Sequence, residues 1–321
     1  MSVNRKIIAF ALVLIVVLGV AGVIAWQQFF QPKKAIAGPI SIIDDMGRNV
    51  TITKYPSERI VSLTPWSTEI LFALGLGGKV VGVDEWSDYP LEVQERIEEG
   101  NLTTVGSFTE VSIEKVVGLE PDLILAGGGV QSVVAESLGE LGQPVIVLYP
   151  KKVDGILSDI LLIGKITGQI DEAEALVTGM NEKIQQIADK TRNLPKPRVY
   201  VEYFFDGGYW SYGSESFVDE LIYKAGGINV FAGFAGKFIM TSTEEVLKAN
   251  PDIIIISKGG MAITCGLTPE EIKKRPGWSE IYAVQNNQIY EIESDLICRE
   301  GPRIVEGLMA LARVMNPELF K

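Results

Sequence analysis

The stretch Ser112–Leu125, SIEKVVGLEPDLIL, decides the fold, because the chain repeats it at Ser242–Ile255 as STEEVLKANPDIII. The copies are 244 − 114 = 130 residues apart, and the matching positions are Ser112/Ser242, Glu114/Glu244, Val116/Val246, Pro121/Pro251, Asp122/Asp252 and Ile124/Ile254. Each copy predicts a short helix, a Pro-Asp turn that ends it, and an entirely apolar strand. A strand without polar alternation is covered on both faces, which is typical of a parallel α/β sheet. The repeat therefore predicts two similar lobes, each with one glutamate at the same structural position.

One long helix is predicted at Asp171–Asn193, between the two copies. Its apolar residues form a single stripe at helical spacing: Ala173, Leu176, Val177, Met180, Ile184, Ile187 and Ala188. At 1.5 Å per residue the helix spans roughly 33 Å, about the diameter of a domain. We therefore expect two doubly wound α/β lobes, residues 40–170 and 195–321, joined by a helix at 171–194. The alternative is an ordinary sheet-packing helix inside one large domain, and the repeat on either side favours the joining role.

The N-terminus carries an apolar segment. Ile7–Trp26 contains no charged residue and has the length needed to cross a bilayer as a helix. Arg5 and Lys6 precede it, which favours a cytoplasmic N-terminus with the rest of the chain outside. The alternative is a signal peptide cleaved near Ala35–Ala37. Residues 1–39 are thus expected to be a transmembrane anchor, or a signal peptide, followed by a stalk, and in either case the body is exported.

Charge and composition exclude several classes of protein. The net charge of −12 argues against a nucleic-acid partner, which needs clustered Lys and Arg. The 321-residue sequence has no histidine, and this removes the usual general base, zinc ligand and haem ligand. The motifs of a nucleophile elbow, a dinucleotide fold and a P-loop are also missing from it. We therefore expect neither an enzyme nor a bound cofactor or metal. The two cysteines, Cys265 and Cys298, are compatible with a disulfide or with free thiols.

Aromatic residues follow several predicted strands. Three tryptophans come just after strands and three phenylalanines lie in similar loops: Trp66, Trp86, Trp210, Phe108, Phe204 and Phe238. Ligands of open α/β sheets bind outside the carboxyl ends of the strands, so two facing lobes would bury an aromatic slot between them. Such a slot suits a large, flat and partly apolar ligand. For any single one of these aromatics, the alternative is a place in the core.

Several segments together resemble one family. RIVSLTPWSTEILFALG from Arg59, VVGVDEWSDYP from Val80, both copies of the repeat, and SDLICREGPRIVEGL from Ser294 are similar to the periplasmic binding proteins for cobalamin and iron–siderophores, the substrate-binding subunits of ABC importers. The similarity covers about residues 57–317. It implies a monomer of two lobes joined by one long helix, which limits closure. It also implies that Glu114 and Glu244 dock onto Arg residues of the permease dimer. The alternative for each is a solvated glutamate on a helix face.

The cobalamin-binding branch matches in more detail. Its pocket implies a ligand site made of Trp66, Trp86, Phe108, Tyr203, Phe204, Trp210, Phe238, Asp295 and Arg299, although the last two are also consistent with an ordinary loop ion pair. Gly127 stands where an aromatic is expected, which predicts a roomier pocket. Because the candidate loops hold few basic residues and Arg299 is their main cation, the predicted ligand is a corrinoid. The alternatives are a ferric siderophore or haem and, in another class, an exported α/β hydrolase.

Overall fold

The computed structural model describes residues 38–205, 208–259 and 267–320, but not the side chains of residues 204 and 205. The predicted membrane or signal segment Ile7–Trp26 and Cys265 therefore lie outside the described residues. Within those residues, none of the helices combines the length and the apolar character that crossing a bilayer requires.

Strands and helices alternate along the chain. The elements before residue 168 are β1 Ile40–Ile43, β2 Asn49–Ile52, β3 Ile60–Ser62, α1 Pro65–Ala73, β4 Val80–Val83, α2 Leu91–Glu98, β5 Thr103–Thr104, α3 Ile113–Gly118, β6 Leu123–Gly127, α4 Ser132–Glu140, β7 Val145–Leu148 and α5 Val153–Thr167. The long helix α6 spans Ile170–Thr191. After it come β8 Arg198–Glu202, β9 Phe204–Phe205, β10 Tyr209–Tyr212, α7 Phe217–Lys224, β11 Ile228–Asn229, β12 Phe238–Thr241, α8 Thr243–Ala249, β13 Ile253–Lys258, α9 Pro269–Lys274, α10 Tyr282–Gln285, β14 Ile289–Glu293, α11 Ser294–Cys298 and α12 Ile304–Met315.

Two parallel sheets form the framework. The first has the strand order β5-β4-β3-β6-β7 and the second has the order β11-β8-β13-β14. Strand β6 is buried along its whole length, and β13 is buried up to its last residue, Lys258. These are the two strands that the repeat predicted to be covered on both faces, so the prediction of a mixed α/β fold with parallel sheets is confirmed. We call the residues before α6 the first side and the residues after it the second side.

The repeat has the same local structure in both copies. Ser112 and Ser242 cap helices α3 and α8, their hydroxyls accepting from the third backbone N–H of each helix; such a cap stabilises a helix by about 1 kcal/mol. The residue before each proline has a positive φ, 48° at Glu120 and 41° at Asn250. The Asp122 carboxylate then accepts from the backbone N–H groups of residues 58 and 59, and that of Asp252 from the N–H of residue 198. Each Pro-Asp turn is thus bonded to a neighbouring strand.

Helix α6 packs against both sides of the molecule. Its predicted apolar stripe is directed inward, and the positions that become fully buried are Ala173, Val177, Met180, Ile184 and Ile187. The helix contacts α5 on the first side and α7 and α12 on the second. One cluster of buried apolar residues runs from the first sheet through these helices to the second sheet. At about 1.5 Å per residue, its 22 residues span roughly 33 Å.

Some local features near the cavity are not covered by the predictions from the repeat. Helix α1 begins at Pro65 and is capped by Thr64, whose hydroxyl accepts from the Ser67 backbone N–H. Helix α2 follows the turn at residues 86–90. Beside the antiparallel pair of β1 and β2, a three-stranded antiparallel sheet with the order β12-β10-β9 is present, and it was not predicted. Trp210 therefore lies within a strand rather than in a loop, and its aromatic neighbours Tyr209 and Tyr212 favour extended pairing.

Candidate ligand-binding cleft

A cavity of about 790 Å³ lies between the two sides of the molecule. It opens where strands β3, β4, β6 and β7 of the first sheet end and where the segments that follow β8 and β14 begin, at the carboxyl ends of the strands. Its volume falls in the range that holds small-molecule ligands, about 300–1,000 Å³. This is the edge of the sheets at which the sequence analysis predicted an aromatic slot.

The first wall consists of three aromatic rings. Trp66 and Phe108 lie 5.6 Å apart between ring centroids, tilted by 56°, and Tyr149 follows strand β7 beside them. A Cβ at Gly127 would lie 3.0 Å from the Trp66 indole, and one at Gly128 would collide with the Tyr149 ring at 2.4 Å. The glycines thus let these two rings lie directly on the strand end. The predicted extra room at Gly127 is therefore absent, because the Trp66 indole covers it.

The buried side chain of Gln131 ties this wall together. Its Nε2 donates to the carbonyl oxygens of Leu63 and Phe108, at 2.7 and 3.0 Å, and its Oε1 accepts from the backbone N–H of Gly127 at 2.7 Å. One amide thereby satisfies three backbone groups at the ends of two strands and in the loop that carries Phe108. Sequence reasoning missed Gln131, since nothing local distinguishes it from a surface glutamine.

The second wall is carried by the antiparallel sheet. Trp210 and Phe238 lie on the paired strands β10 and β12, and Tyr203 precedes them. The Phe238 ring lies 5.4 Å from Tyr203 and 5.6 Å from the buried Tyr212. Burial raises the pKa of the Tyr203 hydroxyl far above its usual range, so this side chain stays neutral. The backbone of Phe204 pairs with Trp210, while its side chain is outside the described part of the chain.

Trp86 lies at the mouth, on a loop fixed by a buried acid. Its side chain is 43% exposed. The fully buried Asp84 accepts hydrogen bonds from the Trp86 backbone N–H, at 3.1 Å, and from the Ser87 hydroxyl. Ser87 in turn bonds the hydroxyl of Thr68 in α1 at 2.8 Å. Burial raises the pKa of Asp84 to about 7, although these hydrogen bonds and the charge of Arg299 oppose the rise.

Arg299 is the centre of an ion-pair network that joins both sides. Its guanidinium contacts Asp295 at 2.8 Å on its own side, and Glu69 at 3.0 Å and Asp88 at 2.8 Å on the first side. Arg303 also bonds Glu69, at 2.6 Å. Burial alone would lower the pKa of Arg299, but the hydrogen bond to Asp88 and the nearby carboxylates outweigh it and raise that pKa. The pair Asp295–Arg299 that the sequence singled out is therefore part of a larger network that bridges the two sides.

A second cation of the wall is also paired. Lys237 forms an ion pair with the buried Glu300, and its ammonium lies 4.8 Å from the centre of the Tyr149 ring across the cavity. Asp159 of α5 is buried nearby, and burial together with the charge of Asp45 raises its pKa to about 9. Of the group, Lys237, Glu300 and Tyr149 line the cavity, and none of them was predicted.

The partly buried thiol of Cys298 forms part of the cavity lining. Its sulfur lies within hydrogen-bond distance of the hydroxyls of Tyr212 and Ser294, at 2.9 and 3.1 Å. Burial raises the pKa of the thiol above its usual value, so the neutral form is favoured. Within the described residues Cys298 is a free cysteine; the choice between a disulfide and free thiols that the sequence left open involves Cys265, which lies outside them.

The two glutamates of the repeat lie on the outer surface. Glu114 and Glu244 are both exposed in the first turn of their helices, α3 and α8, while Val116 and Val246 are buried beneath them. The structure thus separates the predicted residues into two groups. Those placed around the cavity are Trp66, Trp86, Phe108, Tyr203, Trp210, Phe238, Asp295 and Arg299. Glu114 and Glu244 form the second group, away from it.

A large aromatic cavity enclosed between two α/β sheets is the architecture of a two-sided solute-binding protein. The family model of the periplasmic binding proteins matches residues 60–296, and the chain belongs to this family. The family is one of solute-binding proteins and not of enzymes, which confirms the prediction of a non-enzymatic protein. Among the described residues, there is no group of three acidic or thiol side chains placed to hold a metal ion.

Known relatives are similar over most of their length. An uncharacterized ABC transporter substrate-binding lipoprotein of Bacillus subtilis is 33% identical over 296 residues, which cover 90% of this chain and 89% of the relative. The crystal structure of the periplasmic vitamin B12 binding protein of Vibrio cholerae is similar with a TM-score of 0.70 and 26% identity, covering 83% of this chain and 99% of that one. A periplasmic haem-binding protein from Roseiflexus is similar with a TM-score of 0.71 and 26% identity, covering 81% and 98%.

Proposed function

We propose that this protein is the extracytoplasmic substrate-binding protein of an ABC importer and that it captures a corrinoid in the cavity. In this proposal residues 40–170 and 195–321 act as the two lobes, and residues 171–194 form the helix between them. The names of the Bacillus and Vibrio relatives support the transport role. The observation that carries the ligand class is the cavity wall, which is aromatic on both sides and has each of its cations already neutralised.

The aromatic walls suit a flat macrocycle. Trp66, Phe108 and Tyr149 face Tyr203, Trp210 and Phe238 across the cavity, and Trp86 adds a partly exposed ring at its mouth. Ring stacking and apolar burial act on the two faces of a corrin, while the few polar groups of the wall fix its orientation. Side chains of a corrinoid end mainly in neutral carboxamides. These can hydrogen-bond to the wall without displacing an ion pair.

The charge of the wall disfavours anionic ligands. Its cations among the described residues are Lys237 and Arg299, and both are held by carboxylates: Glu300 for the first, and Asp295, Glu69 and Asp88 for the second. The propionates of haem, or the charge of a ferric catecholate, need cations of their own. Taking Lys237 from Glu300 would leave a buried carboxylate unpaired, which costs several kcal/mol, and taking Arg299 would leave Glu69 and Asp295 with Arg303 alone. A neutral periphery avoids this cost.

Calorimetric titration of the purified protein tests the ligand class. Cyanocobalamin, haemin and ferric enterobactin are titrated in parallel, and we expect binding of cyanocobalamin at least about 100-fold tighter than that of the two anionic ligands, a difference of about 2.7 kcal/mol. Trp210→Ala is expected to weaken cyanocobalamin binding, whereas Trp278→Phe, a change at a fully buried indole outside the cavity, serves as the matched control. Tighter binding of haemin or of ferric enterobactin would refute the corrinoid assignment and leave the transport role standing.

Haem is the second candidate, favoured by the similarity to the Roseiflexus haem-binding protein. Haem would use the same aromatic walls, but its propionates would have to recruit Arg299 or Lys237 from their carboxylate partners. Salt screens the attraction between the propionates of haem and the cations of the wall, whereas a neutral corrinoid periphery makes no such attraction. A haem site therefore predicts a stronger salt dependence of binding than a corrinoid site. Titrations of haemin and cyanocobalamin at about 0.05 and 0.5 M salt separate the two.

Docking onto the permease is assigned to the repeated glutamates. Glu114 and Glu244 are exposed, stand in equivalent helices and lie outside the cavity. A carboxylate binds arginine through paired, charge-assisted hydrogen bonds, and one such anchor on each lobe suits a dimeric permease. We propose that the protein docks as a monomer with both anchors engaged.

Membrane attachment is assigned to residues 1–39. The apolar run Ile7–Trp26 has the length of a membrane-crossing helix, and the relative from Bacillus is named a lipoprotein, an attached form of the same class. We propose that the run holds the protein at the outer face of the membrane. Fractionation after carbonate washing tests this: the protein is expected in the membrane pellet, and a soluble protein shortened by about 37 residues would show a cleaved signal instead.

A further inference from the structure

The repeat extends upstream of Ser112 and Ser242 into the cavity wall. Residues 106–114 read GSFTEVSIE and residues 236–244 read GKFIMTSTE, so Gly, Phe, Ser and Glu recur at the same offset of 130. Gly106 and Gly236 both have positive φ, 109° and 121°, a conformation that L side chains rarely adopt. The two segments therefore share these four residues and begin with a glycine in the same backbone conformation.

Each of these segments connects two different surfaces. Phe108 and Phe238, at the third position, line the cavity on its first and second wall. Glu114 and Glu244, at the last position, are exposed in the first turn of α3 and α8. In both segments only 114 − 108 = 244 − 238 = 6 residues separate the ring from the carboxylate.

The first segment is held by hydrogen bonds along its length. Gly106 and Val111 form a bridge that closes the loop around Phe108. Gln131 fixes the Phe108 carbonyl at 3.0 Å, and the backbone N–H of Ser112 donates to the Val105 carbonyl at 2.8 Å. The Ser112 hydroxyl then caps the helix that carries Glu114. These backbone hydrogen bonds connect a displacement of the Phe108 ring to helix α3.

The second segment is held by a sheet instead. From Phe238 to Thr241 each residue pairs with strand β10, and the Thr241 hydroxyl donates to the Tyr209 carbonyl at 3.0 Å. Ser242 follows directly as the helix cap, in a capping box with Glu245. The two segments use different bonds to reach the same result, a short rigid connection between a cavity ring and a surface carboxylate.

We propose that residues 106–114 and 236–244 are two equivalent coupling segments, through which the cavity occupant restricts the motion of Glu114 and Glu244 and so lets the permease distinguish the loaded protein from the empty one. The inference rests on the proposed function, because it needs a ligand in the cavity and a partner at the glutamates. The proposal means that α3 and α8 move less in the loaded protein than in the empty one. Ligand binding and permease binding are both linked to this difference. Contact with the ligand orders each ring, and the ordered segment confines the first turn of the helix.

Amide hydrogen exchange of the full chain, read by mass spectrometry with and without saturating cyanocobalamin, measures this coupling. We expect exchange at 113–118 and 243–249 to slow by at least about fivefold, the lower end of typical coupling factors. Helix α9 at residues 269–274, a short helix capped by Thr268 that contributes no residue to the described cavity wall, is the internal control and is expected to change little. Equal slowing in α9 would mean general stabilisation and would overturn the coupling.

Two substitutions give the decisive comparison. Phe108→Ala, at ligand concentrations raised to restore saturation, is expected to abolish the slowing at 113–118 and to keep it at 243–249, and Phe238→Ala to do the reverse. Trp86→Ala removes a cavity aromatic that lies on neither segment, so after resaturation it is expected to keep the slowing at both helices. Loss of both signals in the Trp86 variant, or persistence of both in the Phe variants, overturns the proposal.

The calorimetric titrations distinguish a failure of the coupling proposal from a failure of the proposed function. If cyanocobalamin gives no heat but haemin or ferric enterobactin binds, the corrinoid assignment fails and the exchange experiment is run with the ligand that binds. Binding without slowing at either helix overturns the coupling and leaves the binding function intact. If none of the three ligands binds, both the coupling proposal and the proposed binding function are refuted.

Discussion

Replacing the buried acid beneath the cavity mouth, Asp84→Asn, is expected to change how the stability of the protein depends on pH. Asp84 is fully buried and accepts from the Trp86 N–H and the Ser87 hydroxyl. An asparagine fits the same space, accepts from Trp86 through its oxygen, and donates to Ser87 through its amide. The substitution therefore removes the ionisation and keeps the packing.

The magnitude follows from the pKa. Burial raises the pKa of Asp84 from 3.8 to about 7, so the folded protein holds the proton more tightly than the unfolded chain. The contribution of Asp84 to the free energy of unfolding is fully present below about pH 4 and is lost as pH rises towards 7. The whole rise corresponds to about 4 kcal/mol, of which about 2 kcal/mol is lost between pH 5 and pH 7. The asparagine variant does not lose this contribution.

Urea denaturation of both proteins at pH 5 and pH 7 provides the measurement. The difference in free energy of unfolding, variant minus wild type, is expected to rise by about 2 kcal/mol between the two pH values, and other titrating groups cancel in it. Asp154→Asn, at an exposed position in the first turn of α5, is the control and should shift the difference by no more than a few tenths of a kcal/mol. A difference that stays constant with pH would refute the claim that Asp84 is protonated in the folded state near neutral pH.

Three further variants test other contacts. Glu114→Ala with Glu244→Ala is expected to leave cyanocobalamin affinity within about twofold in calorimetry and to lower uptake by intact cells at least about tenfold; a loss of affinity would contradict the docking role. Glu69→Ala removes one of the three carboxylates of Arg299 and the main carboxylate of the partly buried Arg303, and should cost about 2–3 kcal/mol of unfolding free energy; less than 1 kcal/mol would speak against the network. Gln131→Leu removes three hydrogen bonds, which predicts a loss of about 3 kcal/mol together with weaker ligand binding; unchanged near-ultraviolet circular dichroism of Trp66 would argue against its positioning role.

Much of the fold was predictable because its signals are local. Apolar runs such as Leu123–Gly127, the Pro-Asp turns and the apolar stripe of the long helix all report burial that neighbouring residues determine. The antiparallel sheet was missed for the opposite reason. Strands β9 and β12 contain two and four residues, too few to show a periodic pattern. Strand β12 also pairs with β10 across the intervening helix α7, a contact that no local signal reports.

The candidate site shows the same division. Aromatics after strands were found from sequence, since the position of a ring relative to a strand end is a local property. The partners that define the charge of the cavity were not: Glu69 lies 230 residues from Arg299, and Lys237 lies 63 residues from Glu300. One sequence signal was overlooked, because the offset of 130 that relates the two glutamates also relates Phe108 to Phe238. Extending the repeat by six residues towards the N-terminus places one predicted cavity ring, Phe108 or Phe238, six positions before each predicted docking glutamate.

Contacts between the two sides bear on how a permease can recognise a loaded protein. Arg299 bonds Glu69 and Asp88 across the cavity. Lys151, which follows β7, forms an ion pair at 2.8 Å with Glu215 of the second side. The long helix joins the same two sides. A large rotation of one side against the other would have to break these bridges, so most of the difference between empty and loaded protein must arise locally, where the ligand touches the wall. The two segments that run from a cavity ring to a surface carboxylate are where such a local change reaches the outside, and for this reason the exchange experiment on α3 and α8 tests the transport mechanism more directly than a measurement of overall shape.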